Sequence, residues 1–240
     1  VAHFPLDGNI LDSMGVATLR EIGGNSPTFD PPSGSPQALD TTSNGHYIDS
    51  TTLTNIFKEE SFSISMWIMK TSDETSQWKV LLTQYDSYVY GFTILYQDCE
   101  AGDAADTCSF YAGRVRTNAG SWEEIYANQN PRPKLENNVW HNLIFVFTAT
   151  ELEIYLDGTS ILLLKAPGSD TFVIDDAQTI RKPHLGLGIY CQDSGTDGTC
   201  SSGLKQFGYR SDIRFYRGVL TADERAQIFS SRFSNLCTTC

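Results

Sequence analysis

Six cysteines and a set of turn-bound aspartates carry most of the chemistry in this 240-residue chain. Cys99 and Cys108 stand nine positions apart, as do Cys191 and Cys200, and each pair encloses turn formers. A hairpin whose strands pair just outside such a loop brings its ends within the roughly 4–7 Å Cα range that a disulfide needs. The spacing therefore predicts Cys99–Cys108 and Cys191–Cys200 as local staples, each adding about 2–3 kcal/mol in the chain-entropy account. Cys237-Thr-Thr-Cys240 lacks the helix N-terminus of a redox pair and the second ligand pair of a zinc site. It reads as a terminal staple or a link to a neighbouring chain. All six together point to an oxidising, extracellular setting.

Inside the Cys191–Cys200 loop lies Asp193-Ser-Gly-Thr-Asp197-Gly198. Calcium takes about six to eight hard oxygens, and such a loop offers carboxylates, hydroxyls and carbonyls at close spacing. It is no EF-hand, because the twelfth position of that frame is Leu204 where a glutamate is needed. Asp103 and Asp106 in the other cysteine loop are reserve donors. The bland account is that aspartate in turns is expected anyway. Glycan or protein contact would need exposed aromatics, and Tyr85, Tyr88 and Trp122 are the candidates for ring stacking. Trp122 falls in what reads as a loop, Gly120-Ser-Trp-Glu-Glu124. The competing account places the tyrosines in strands and Trp122 at an edge of the core.

Hydrolytic chemistry finds less support. His3, His46, His141 and His184 are scattered, show no His-Glu-x-x-His spacing and read as partly buried structural groups. Glu151-Leu-Glu153 has no third acid in register, and its two carboxylates are expected in water. No catalytic residue is assigned, and an enzyme is not expected.

The elements that must position these groups are strands. Phe62, Ile64, Met66 and Ile68 alternate onto one face, with Trp67 on the other. Leu152, Ile154 and Leu156 alternate likewise, and Asp157-Gly158 is the preferred pair for a type I′ turn before Ile161–Leu164. Further strands are expected around 1–6, 45–49, 79–84, 91–96, 109–116, 139–148, 184–190 and 206–217. Residues 23–45 are rich in Pro, Ser and Gly and read as a long connection without regular structure. Thr221-Ala-Asp-Glu224 is a capping box that starts one short C-terminal helix. Many short strands without interleaved helices mean an all-β sandwich or barrel.

Composition sets outer limits. The formal net charge of −12 argues against a nucleic-acid binder. The longest apolar runs reach five residues, so no direct membrane insertion is expected. The sequence opens without a basic and apolar leader, so any secretion signal is expected to be gone already. Residues 1–180 carry 9 basic and 24 acidic side chains, residues 181–240 carry 8 and 5. That asymmetry would suit head-to-tail self-association.

Several segments, in order, resemble laminin-G-like, concanavalin A-like jelly-roll domains of the pentraxin-like superfamily. They are Ala2–Gly8 with Asp12–Gly15, Ala38-Leu-Asp ahead of His46–Asp49, and Phe62–Ile68. Trp140–Phe147 with Ile154–Gly158, Leu185–Gly188, Ser211–Tyr216 and Gly218–Glu224 complete the set. The resemblance spans almost the whole chain and implies one domain, a two-sheet antiparallel jelly-roll sandwich. Glucan-cleaving members carry a Glu-x-Asp-x-(x)-Glu strand that is missing here, whereas pentraxins hold calcium between two loops. Their positions correspond to Asp86-Ser87 and Tyr190–Asp193, which adds Asp86 to Asp193 and Asp197 as a candidate calcium set. The Glu-x-Asp pair of that family's second loop is replaced by Gln192-Asp193. Asp7, Asp12 and Asp212 form a second candidate cation group near the terminal strands. The expectation is an extracellular binding or adhesion module for a glycan or surface protein, assisted by calcium. The alternatives are a building block of an extracellular polymer and a lyase or hydrolase with a dispersed site.

Overall fold

The computed structural model describes residues 2–6, 13–14, 18–21, 29, 38–41, 46–49, 61–71, 78–86, 90–97, 109–126, 133–172, 184–187, 190–192, 199–201 and 208–236. They form two seven-stranded antiparallel sheets, a small hairpin and one helix. The first sheet runs β1 (His3–Phe4), β16 (Tyr209–Arg217), β5 (Ser61–Met69), β10 (Trp140–Thr148), β11 (Glu151–Leu156), β12 (Thr159–Lys165), with β3 (Leu39–Asp40) also on β16. The second runs β2 (Thr18–Glu21), β4 (His46–Asp49), β13 (His184–Leu187), β6 (Trp78–Asp86), β7 (Tyr90–Gln97), β8 (Ser109–Arg116), β9 (Trp122–Tyr126). The hairpin pairs β14 (Tyr190–Gln192) with β15 (Thr199–Ser201), and α1 spans Ala222–Leu236. Antiparallel strands wound into two sheets are the expected jelly-roll sandwich.

Alternation drives this arrangement. Phe62, Ile64, Met66 and Ile68 of β5, Leu143, Phe145 and Phe147 of β10, and Leu152 and Ile154 of β11 all enter one core. Facing them from the second sheet are Leu82, Phe92, Ile94, Tyr96 and Leu187. Phe147 is the pivot, stacked on Phe62 at 4.5 Å and tilted against Phe92 at 4.7 Å. A buried cation also crosses the layers: Arg210 of β16 donates to Thr41 Oγ1 at 2.7 Å and to the Leu81 carbonyl at 3.3 Å. Burial lowers its pKa to about 9.

β10 is apolar without interruption from Leu143 to Phe147 because both its faces are covered there. Ile144 and Val146 point away from the main core and, with Tyr155, Leu220 and Ile228, form a second cluster beneath α1. Trp67, on the same outer face of β5, stacks on Phe229 at 6.0 Å. The helix begins as its sequence predicts: Glu224 Oε2 accepts from the Thr221 N–H at 2.7 Å, and Thr221 Oγ1 accepts from the Glu224 N–H at 3.3 Å. Arg225 lies 4.0 Å over the Tyr155 ring.

Three expectations need correction. Trp122 belongs to strand β9, paired with Arg116, and the turn ends before it. The long connection 23–45 contains the two-residue strand β3, which docks on Tyr209 and Arg210. Glu153 is half-buried, accepting hydrogen bonds from Tyr155 Oη and Ser160 Oγ, each at 2.6 Å. That carboxylate does structural work for the hairpin because two hydroxyls converge on it.

Candidate functional site

The outer face of the second sheet is assembled by register. Phe92, Ile94 and Tyr96 of β7 belong to the core, so the alternate residues of that strand lie on the opposite face. On that face Arg20, Tyr47, Gly186, Thr83, Thr93 and Gly113 pair in sequence across β2, β4, β13, β6, β7 and β8. Five strand spacings make this row about 24 Å long. Tyr85 pairs with Gly91 beside it, and Leu95, Tyr111 and Tyr126 form the neighbouring row on the other side.

Thr83 and Thr93 join their hydroxyls at 3.3 Å, and Thr83 Oγ1 also donates to the Phe92 carbonyl at 3.4 Å. Both threonines and Leu95 are buried, so neighbouring groups close over the middle of the row. Tyr85 of β6 and Trp122 of β9 share this face, three strands apart, or about 14 Å. Pleat parity settles this: Trp122 alternates with Tyr126, across a bulge in β8 between Ala112 and Val115. Register thus places the backbone positions of two of the three aromatic residues singled out from the sequence on one face. Tyr88 lies outside the described residues.

Of the candidate calcium set, one residue lies among the described residues. Asp86 ends β6, opposite Tyr90. Asp193 and Asp197 lie outside the described residues, as do Asp103 and Asp106. Among the described residues no three His, Cys, Asp or Glu side chains are placed to hold a metal.

Of the second cation group, Asp7 and Asp12 are also outside the described residues. Asp212 is already engaged: its Oδ1 accepts from His3 Nε2 at 2.7 Å and from Arg214 Nε at 2.8 Å. Burial pushes its pKa up, but the hydrogen bonds and charges of His3 and Arg214 outweigh that and hold it below the usual value. A cation at Oδ1 would have to displace an arginine.

Cys191 stands directly across from Cys200 in the β14–β15 hairpin. Directly opposed antiparallel residues have Cα atoms about 4.5–5.5 Å apart, within disulfide range. Gln97 pairs with Ser109 just outside the first cysteine loop, while Cys99, Cys108, Cys237 and Cys240 lie outside the described residues.

A sequence model for the laminin-G type family described as the concanavalin A-like lectin/glucanases superfamily matches residues 41–182. No curated protein sequence matches the chain. Among solved structures, domain 4 of AbnA, a GH43 extracellular arabinanase from Geobacillus stearothermophilus in complex with arabinotriose, is similar with a TM-score of 0.61. The two are 14% identical, over 95% of this chain and 97% of that one. The botulinum neurotoxin serotype D binding domain is similar at a TM-score of 0.62 and 12% identity, over 97% of this chain and 51% of that one. A botulinum neurotoxin type C structure, whose cell entry depends on interaction with two ganglioside molecules, gives 0.58 and 14%, over 96% and 50%. The chain thus spans about half the length of the toxin domains it resembles.

Proposed function

The chain belongs to the concanavalin A-like lectin/glucanases superfamily, and from that premise we propose that it is a glycan-binding module whose contact surface is the outer face of the second sheet. The observation that carries this reading is the shared face of Tyr85 and Trp122, which lie beside the Gly186–Thr83–Thr93–Gly113 row. A sugar ring has an apolar C–H face and a polar rim. Aromatic residues provide flat apolar area at small entropic cost, and neighbouring hydroxyls and amides meet the rim.

Support also comes from the relatives: one similar domain was solved with arabinotriose, and another belongs to a toxin whose entry depends on gangliosides. An extracellular location fits the opposed Cys191 and Cys200. The activity is binding without glycosidic cleavage, in keeping with the missing Glu-x-Asp-x-Glu strand. Calcium has a secondary place, at Asp86, Asp193 and Asp197. Thermal unfolding in millimolar calcium against chelator reads it directly, since a ligand at 100 times its Kd adds about 2.7 kcal/mol.

The deciding experiment is a glycan array that includes arabinan and sialylated oligosaccharides, probed with the wild-type chain and with Tyr85→Ala/Trp122→Ala. Binding to at least one glycan, weakened about tenfold or more in the double variant, is expected. Equal binding by both proteins would move the site elsewhere. No glycan bound above background would remove the proposal.

A further inference from the structure

We propose that Ser13, His3 and Asp212 form a nucleophile-activating relay that makes Ser13 reactive toward acyl esters, separately from glycan binding on the second sheet. Ser13 Oγ lies 3.1 Å from His3 Nδ1, and His3 Nε2 lies 2.7 Å from Asp212 Oδ1. An ionised carboxylate only accepts, so His3 Nε2 carries the ring proton. In the neutral ring, that tautomer turns the lone pair of Nδ1 toward the Ser13 hydroxyl. Carboxylate, imidazole and hydroxyl follow in the order that turns a hydroxyl into a nucleophile.

The main chain holds the three together although His3 and Asp212 are 209 positions apart. The Ser13 N–H donates to the His3 carbonyl at 2.8 Å, and the Asp212 N–H donates to the Pro5 carbonyl at 3.0 Å. Asp212 sits at φ +51°, at the break in register between Ser211 and Arg214. A left-handed backbone in a residue other than glycine is costly and recurs where geometry serves function. Arg214 shares Oδ1 and keeps the carboxylate charged. Ser13 is exposed, so an ester can reach it.

A second His–Asp pair in the same molecule supplies the contrast. His141 Nδ1 lies 2.7 Å from Asp157 Oδ2, but its Nε2 accepts from the Glu136 N–H at 3.2 Å. Both nitrogens are committed to the fold, and the ring is buried. At His3 the other ring nitrogen lies 3.1 Å from the hydroxyl of Ser13, which is exposed.

In the reaction Ser13 Oγ bonds to the ester carbonyl carbon as its proton passes to His3 Nδ1. The ester C–O bond breaks, and the departing alkoxide takes that proton. Water then attacks the acyl–Ser13 ester and gives a proton to His3 Nδ1. Collapse releases the carboxylic acid, and the proton returns to Ser13.

The test uses the intact chain with a fluorophosphonate probe and with p-nitrophenyl acetate. Peptide mapping should find the label on Ser13. Ser13→Ala should abolish labelling with an unchanged melting temperature, and His3→Gln or Asp212→Asn, checked for folding, should slow it about 100-fold. A label on Ser13 no faster than on other surface serines would overturn the relay. Full reactivity in a folded His3→Gln or Asp212→Asn protein would do the same.

Discussion

The two sheets treat their outer faces in opposite ways. On the first sheet that face is apolar, with Ile144, Val146, Tyr155 and Trp67 lying under Leu220, Ile228 and Phe229. Even its small polar residues serve this contact: Ser63 Oγ donates to the Gly218 carbonyl and accepts from the Leu220 N–H, fixing the segment that leads into α1. On the second sheet the register lines up glycines and threonines between tyrosines, and among the described residues no helix crosses it. The same alternation therefore yields one face covered by the chain's own helix and one, closed over at Thr83, Thr93 and Leu95, whose flanks carry the proposed contact. A module that recognises something outside itself needs that division, because a face sealed by its own helix has nothing to offer a ligand.

The comparison breaks most visibly at Trp67. Trp67→Ala removes a buried indole from beneath α1 and should cost about 3–5 kcal/mol, read by denaturant unfolding, with glycan affinity retained by the folded fraction. Asp212→Asn comes next: removing the charge from the His3 and Arg214 hydrogen bonds should cost about 1–3 kcal/mol at neutral pH. Because the folded pKa of Asp212 is depressed, its contribution is present above the unfolded value of about 3.9 and is lost as pH falls through the folded value. The variant should therefore flatten the acid limb of the stability curve. Tyr85→Ala/Trp122→Ala should do the reverse of Trp67→Ala, raising Kd about tenfold, or ~1.4 kcal/mol, with little change in unfolding. A double variant that unfolds early yet binds normally would invert the comparison.

The first sheet was far more legible in the sequence than the second. Its strands carry long, strong patterns, Phe62–Ile68, Trp140–Phe147 and Glu151–Leu164, and the Asp157-Gly158 turn appears as expected with φ of +49° and +81°. Local signals suffice there because β10, β11 and β12 are joined by tight turns. The second sheet pairs β13 with both β4 and β6, strands more than a hundred residues away. That register sets the face, and no local spacing reveals it. Tyr85 and Trp122 could be picked as aromatic candidates, but not as positions that register sets on one face of the sheet. Trp122 looked like a loop residue because Asn118 to Ser121 reads as turn, and the strand that follows is only five residues long. The Ser13–His3–Asp212 set was illegible for the same reason: a lone histidine shows no partner until the terminal strands pair.

The smallest effect sharpens what holds the helix on its sheet. Thr221→Ala removes the hydroxyl that accepts from the Glu224 N–H and donates to its carboxylate at 2.8 Å, and should cost about 1 kcal/mol. Thr221→Ser should recover most of it. Glu224 has a lowered pKa through the backbone and then the side-chain hydrogen bond of Thr221, so the cap is complete above the ordinary carboxylate value and weakens as pH falls through the folded one. Water can replace part of what an exposed cap supplies, whereas nothing replaces the indole that Phe229 rests on. A cap loss several times smaller than the Trp67 loss means that α1 is fixed by its apolar face and merely started by its cap. If the two losses were equal, the helix would be held from its end, and the outer face of the first sheet would be open enough to compete as a ligand surface.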